Sequence, residues 1–198
     1  MAYLHWSFFE MIDEELHSFS RKVEFAEGNF PTYSVYLAGL YVSICSEIDV
    51  VAKLLCQRIR PDSKPENIRH YHELIPSHYD FLPKLKITIV PMPRDLLPWE
   101  TWQDKDSRKN PDWWEAHQKV KHRRDEFFKE ANLGNVLQSA AGLLVLLVYW
   151  NYAALARYEL LTDFRVFEVD RKRTPSGSFI LGKFDLPDIC LSDDGTVT

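Results

Sequence analysis

The sequence predicts a mainly α-helical fold: an antiparallel bundle of about four helices with a proline-rich, partly β insertion and a C-terminal β-hairpin. Apolar residues recur every three or four positions in two N-terminal segments and again in residues 112–160. Eight of the chain's 11 prolines lie within residues 61–111, where they exclude a long helix. The apolar period changes after residue 162 and becomes typical of strands. We interpret residues 1–198 as one domain.

The bulk properties limit the possible classes of protein. A chain of 198 residues, 45% of them hydrophobic, can bury one sizeable core and is globular rather than disordered. The net charge of −5 means that phosphate binding would require a local basic patch. Cys45, Cys56 and Cys190 form no CxxC pair, which argues against a cysteine-based zinc site. Three unpaired thiols, and an N-terminus unlike a signal peptide, predict a cytoplasmic protein.

Two helices are predicted before the insertion. The first spans residues 3–27, and the second spans residues 32–59 and is stopped by Pro61. Glu47 lies at the border of the apolar face of the second helix. Two interpretations of this carboxylate stay open: a solvated acid, or a group that faces a basic partner in another helix.

The insertion, residues 61–111, is predicted to pack as a lid over the helices, anchored by Trp99 and Trp102. It contains a short predicted helix at residues 66–74 and a short strand at residues 86–90. Three histidines also lie in this insertion, but no acidic constellation accompanies them. We interpret them as surface residues and predict neither a metal site nor a cofactor; they are His70, His72 and His78.

Residues 112–160 are predicted as helix throughout, with Gly134 or Gly142 as a possible bend. Asp112 and Glu115 have the spacing of a capping box at the start of this region. Its uncharged stretch, residues 136–156, is long enough to span a bilayer. We favour a buried central helix and predict no membrane association, because polar residues dilute the stretch and it continues directly from an amphipathic helix.

The C-terminal β-hairpin is predicted within residues 163–186. Its strands are expected at residues 164–169 and 178–184, joined by a turn that contains Pro175 and Gly177.

The candidate site lies on the helix that begins at residue 112. Six residues follow one another at steps of three or four and form one stripe that is basic in its middle: His117, Lys121, Arg124, Phe128, Ala131 and Asn135. Cations beside a core need an acceptor, and Glu47 is the best candidate by depth and register.

Three interpretations of these residues stay open. Lys121, Arg124 and Glu47 could form a structural ion-pair network without chemistry. His122 could act as an acid or base beside cations that hold a phosphodiester, as in metal-independent RNA cleavage. The basic cluster could instead bind RNA or another anion without turning it over.

The segment WWEAHQKVKHRRDEFFKEAN resembles a pattern of bacterial proteins, WWxAYNxLKHxR followed by a phenylalanine and an Ala-Asn pair. Those proteins are similar to the HEPN superfamily of helical bundles, which includes ribonucleases of toxin–antitoxin and phage-defence systems. The resemblance covers residues 32–160. It implies a homodimer that acts on RNA, with an antitoxin-like protein as a further partner.

The site implied in this way combines Glu47, Lys121, His122 and Arg124, either for RNA binding or for metal-independent cleavage. One departure bears on catalysis. The HEPN ribonuclease motif has an arginine four to six residues before its histidine, whereas here those positions hold no arginine. The alternative is a non-catalytic interaction or dimerisation module in which the basic residues only hold the bundle together.

Overall fold

The computed structural model describes residues 2–104, 109–156, 160 and 164–169. The described part is mainly helical, as predicted, with a small three-stranded antiparallel sheet. The helices are α1 Ala2–Ser20, α2 Val35–Ile59, α3 Ile68–His78, α4 Asp112–His122, α5 Arg124–Phe127, α6 Leu133–Trp150 and α7 Tyr152–Ala156. The strands are β1 Ile87–Ile89, β2 Arg94–Leu96 and β3 Phe167–Val169.

Helices α2 and α6 pack against each other at the centre of the core. Helix α2 begins where the Ser34 hydroxyl accepts a hydrogen bond from the backbone N–H of Leu37 at 3.1 Å. Helix α6 is buried along almost its whole length, so it is apolar on every face. Both helices are long and apolar enough to cross a membrane by length and composition, with 50% and 78% of the respective windows buried here. A core helix passes the same test.

Helix α1 is shorter than predicted, because its last turn closes at Ser20. The backbone N–H groups of Lys22 and Val23 both donate to the carbonyl of Phe19, at 2.9 and 3.0 Å, which ends the helix. The chain then turns through a 3₁₀ segment, Glu27–Asn29, into α2.

The region predicted as one helix after the insertion is interrupted three times, giving α4, α5, α6 and α7, and the last of these breaks lies at Asn151. The first break lies at Arg123, whose φ of −142° is not helical. The second precedes α6, where the side chain of Asn132 accepts from the backbone N–H of Asn135 at 3.0 Å. The capping-box prediction is also wrong, since the N-cap residue of α4 is Pro111 and no side-chain cap bond forms.

Gly142 is a packing contact within α6 rather than a bend. A Cβ atom at this position would lie 3.1 Å from Cζ2 of Trp113 on α4, tighter than an ordinary van der Waals contact. The small residue therefore lets α4 approach α6 closely.

Tryptophans anchor the proline-rich insertion to the helices, as predicted. The indole N–H of Trp99 donates to the carbonyl of Gly142 at 3.0 Å, and that of Trp113 donates to the carbonyl of Pro98 at 2.9 Å. Trp102 is fully buried beside Trp99, with ring centroids 4.2 Å apart. The predicted short helix appears as α3, and it begins after Asn67.

The three strands have the order β2-β1-β3. The predicted strand at residues 86–90 is confirmed as β1, and β3 confirms part of the first strand of the predicted C-terminal hairpin. Ile87 of β1 pairs with Val169, so β3 adds to the sheet of the insertion. The second strand expected for that hairpin, at residues 178–184, lies outside the described residues.

Candidate functional site

A pocket of about 490 Å³ opens between α2, the start of α3 and α4. Its volume is within the range of small-molecule sites. The wall carries carboxylates, amides, one ammonium group, one thiol and one indole. The lining residues are Cys45, Ser46, Asp49, Glu66, Asn67, Ile68, Asn110, Trp114, Glu115, His117, Gln118 and Lys121.

Asp49 of α2 is already satisfied by protein groups. One carboxylate oxygen accepts the Tyr71 hydroxyl at 2.5 Å, and the other accepts the Lys53 ammonium at 2.5 Å. Burial, followed by this hydrogen bond, raises the pKa of Tyr71, so the phenol keeps its proton. Asp49 therefore ties α2 to α3 and fixes one wall of the pocket.

His117 forms part of the pocket wall and is 3% exposed. Its ring lies against Tyr41 and Trp114, at a centroid distance of 5.6 Å to each. The Gln118 amide nitrogen lies 3.3 Å from Nδ1, which places the ring proton on Nε2 in the neutral imidazole. Nε2 is buried and has no hydrogen-bond partner among the described residues. The wall thus contains an unsatisfied donor.

The thiol of Cys45 is a structural element of the wall. Burial raises its pKa well above the ordinary value, so the group stays protonated at neutral pH. A protonated, buried thiol is a poor nucleophile, which argues against cysteine chemistry at this site.

The buried imidazole makes the stability of the fold depend on pH. Burial, with smaller contributions from Lys121 and His122, lowers the pKa of His117 to about 4. Between an ordinary pKa of about 6.5 and this value, the unfolded chain binds the proton and the folded chain does not. The free energy of unfolding should therefore fall by at most about 3 kcal/mol from pH 6.5 to pH 4. Urea unfolding across this range measures it.

Two substitutions on α4 isolate this effect. His117→Gln removes the titrating ring and should flatten the pH dependence between pH 6.5 and 4. His122→Gln keeps the buried ring of His117 and removes only an exposed neighbour that adds to its lowered pKa, so most of the fall in stability should remain. Equal slopes for the two variants would show that His117 does not cause the loss of stability.

The structure separates Glu47 from the other three residues predicted to form the site, Lys121, His122 and Arg124. Lys121 lines the pocket, whereas Glu47 does not. The expected pairing of Glu47 with Lys121 and Arg124 is wrong, because its carboxylate forms a short hydrogen bond with Nδ1 of His5 on α1. Positions 47 and 49 lie about 200° apart around α2, so the acid nearest the basic helix is Asp49.

The predicted basic stripe also stops early, because α4 ends at His122. That histidine is the last residue of α4, and Arg124 is the first residue of α5. Both side chains are exposed, as is that of Lys121. No ion pair joins any of the three to a described residue. They are therefore available to a ligand. The interpretation of a structural ion-pair network has no support, because Glu47 does not pair with these cations.

Sequence reasoning missed most of the pocket. His117 was predicted only as a member of the basic stripe, and it lies in the wall together with Gln118. Asp49 could have been placed in the wall from the sequence, because it lies four residues after Cys45 and therefore on the same face of the helix. Asn67 has the sequence position of an N-cap, ahead of the apolar residues of α3, and its side chain accepts from two backbone N–H groups.

The histidines of the insertion serve structural contacts. The ring of His72 stacks on Trp102 with a centroid distance of 5.4 Å and is only partly exposed, unlike the surface residue we predicted. Nδ1 of His70 accepts from the backbone N–H of Glu66 at 3.0 Å. Within the described ranges, no group of three or more His, Cys, Asp or Glu residues could hold a metal ion.

These features define a mainly helical protein with a polar pocket beside an exposed basic turn. Comparison with known proteins adds no relative: no protein-family model matches the chain, and neither a curated protein nor a solved structure matches it significantly.

Proposed function

We propose that this protein binds RNA through a basic segment at the end of α4, made of Lys119, Lys121, His122, Arg123 and Arg124. The observation that carries the proposal is the exposure of these side chains at the break between α4 and α5. A chain of net charge −5 has no general affinity for polyanions, so a local cluster must supply it.

The members of the basic segment differ in the contacts that their side chains make with other residues. Arg123 pairs with Glu126, with Nε 3.1 Å from a carboxylate oxygen, and the Lys119 ammonium lies 5.7 Å from the centre of the Phe127 ring. Lys121 and Arg124 have neither an acidic partner nor an aromatic one among the described residues, and they can bind phosphates without first breaking a contact.

The double variant Lys121→Ala/Arg124→Ala should bind a labelled single-stranded RNA about tenfold more weakly at low salt. Removing two phosphate contacts should also lower the slope of log affinity against log salt by about 1.4, because each contact to a single strand contributes about 0.7. Fluorescence anisotropy over a salt series measures both quantities. The double variant Lys22→Ala/Lys84→Ala removes the same charge from exposed positions outside the basic segment. If both variants bind RNA equally, the basic segment is not the binding surface.

Cleavage is the second candidate function, with His122 as acid or base and Lys121 and Arg124 holding the phosphodiester. The exposure of His122 between two free cations favours it. This activity would place the chain with the HEPN ribonucleases in a defence or toxin–antitoxin setting. Incubating the same RNA with the protein in EDTA separates the two functions. Cleavage that disappears in His122→Ala supports catalysis, and intact RNA that stays bound supports binding alone.

A non-catalytic dimerisation module is the alternative from another class. Exposed apolar side chains on α1 favour it, since Leu4 is 68% exposed and Met11, seven residues later on the same face, is 46% exposed. In the anisotropy experiment this alternative predicts no RNA binding at any salt concentration. Sedimentation velocity would then give twice the chain mass of 23.3 kDa.

A further inference from the structure

We propose that the pocket between α2, α3 and α4 binds one unpaired guanine base of the RNA held by the basic segment. This inference rests on the proposed function, since it assigns the neighbouring pocket to the same ligand. Lys121 links the two features, because it belongs to the basic segment and also lines the pocket.

The charges of the lining exclude a phosphate from the interior. Among the described residues that line the pocket, Asp49, Glu66 and Glu115 face a single ammonium group, that of Lys121. Within the same part of the chain, only Asp49 has a further cation beside it, Lys53. A phosphate would therefore meet two uncompensated carboxylates, and it is better placed outside on the basic segment. The pocket suits a neutral group that carries hydrogen-bond donors.

Glu66 and Glu115 are the acceptors left for such a donor. Neither carboxylate is in an ion pair with a described residue, and both residues are exposed. A carboxylate can accept two parallel N–H bonds, and the Watson–Crick edge of guanine presents such a pair, N1–H and the 2-amino group.

Donors in the same wall match the other edge of guanine. O6 and N7 accept hydrogen bonds, for which Lys121 is a suitable donor. The amides of Asn110 and Gln118 also line the pocket and can donate to the same two acceptors. Uracil lacks the paired N–H donors, and adenine lacks the O6 acceptor, so neither fits this mixed lining as well.

The volume of the pocket and the aromatic side chain in its wall also suit a guanine base. About 490 Å³ accommodates a purine nucleoside, and Trp114 supplies an apolar aromatic surface in the wall. Unstacked bases of single-stranded RNA commonly insert into pockets of this kind, where side chains replace their lost stacking and pairing.

The test uses the full chain and four labelled RNA decamers that are uridine throughout except for one central base: G, A, C or U. The G decamer should bind about tenfold more tightly than the all-U decamer. Glu66→Gln and Glu115→Gln each remove one acceptor, and at least one of them should reduce this preference to below about twofold. Glu73→Gln makes the same charge change on α3 outside the lining and should keep the preference.

Calorimetric titration with guanosine tests the pocket separately from the RNA surface. If all four decamers bind equally and guanosine does not bind, the guanine pocket is wrong while the proposed RNA binding stands. If no decamer binds, the proposed function fails, and the guanosine titration alone tests the pocket. Heat of guanosine binding that is lost in a glutamate variant supports the pocket. No heat of binding with the wild-type protein overturns it. Thermal melts of each variant confirm that these exposed substitutions leave the fold intact.

Discussion

Replacing Trp99 with alanine should lower the free energy of unfolding by about 4 kcal/mol, as for other buried aromatic residues. The side chain is 1% exposed, and its ring centroid lies 4.2 Å from that of Trp102 and 5.1 Å from that of Trp113. It also donates a hydrogen bond to the carbonyl of Gly142. Alanine would leave a cavity where the insertion meets α4 and α6. Urea denaturation monitored by circular dichroism measures the loss.

Two further substitutions separate the contribution of packing at Trp99 from other causes of the lower free energy of unfolding. Trp99→Phe keeps an aromatic ring but loses the N–H donor, so it should cost about half as much as alanine. Val90→Ala removes apolar atoms from an exposed position of the same insertion and should cost less than about 0.5 kcal/mol. A loss for Trp99→Ala no larger than that for Val90→Ala would mean that the insertion does not depend on this anchor.

Replacing Asp13 with alanine should also destabilise the fold by about 4 kcal/mol, because two backbone donors, one buried and one partly buried, would lose a charged acceptor. One carboxylate oxygen accepts from the N–H of Arg165 at 2.7 Å, and the other accepts from the N–H of Val166 at 2.9 Å. Asp13 is 3% exposed, and this burial raises the pKa of its carboxyl group in spite of the two bonds. Chemical denaturation gives the free energy.

Glu14 supplies a matched control on the next position of α1. Its carboxylate lies 2.9 Å from the guanidinium of Arg165, but both side chains are exposed, so Glu14→Ala should cost less than about 0.5 kcal/mol. Hydrogen exchange adds a local readout, since the amides of Arg165 and Val166 should lose protection only in the Asp13 variant. Similar effects of the two substitutions would contradict the role assigned to Asp13.

The sequence predicted the fold best where residues close together in the chain determine the structure. The repeat of Ile44, Ile48 and Leu55 and the stop at Pro61 predicted α2 to within three residues, because burial of one helix face leaves a periodic pattern. The interruption at Arg123 left no comparable signal. Neither proline nor glycine stands there, and only packing against the rest of the fold sets its backbone.

The candidate site was less predictable, because its geometry depends on contacts between distant segments. A helical wheel gave Glu47 a suitable depth but could not show that α1 would provide His5 as its partner. The same wheel could not show that Asn67, 50 residues before His117, would lie across a pocket from it. Lys121 does line this pocket, and its side of the helix follows from its position in the helical repeat alone.

The bonds between Asp13 and the backbone after residue 164 have a consequence for synthesis of the chain. They join residues that are 152 and 153 positions apart, so they cannot form until nearly all of the described chain has left the ribosome. Until then β1 has only β2 as a neighbour, and its other edge stays unpaired. Open strand edges on nascent chains promote aggregation. We therefore expect the free edge of β1 to need chaperone protection during the delay between the synthesis of β1 and that of β3.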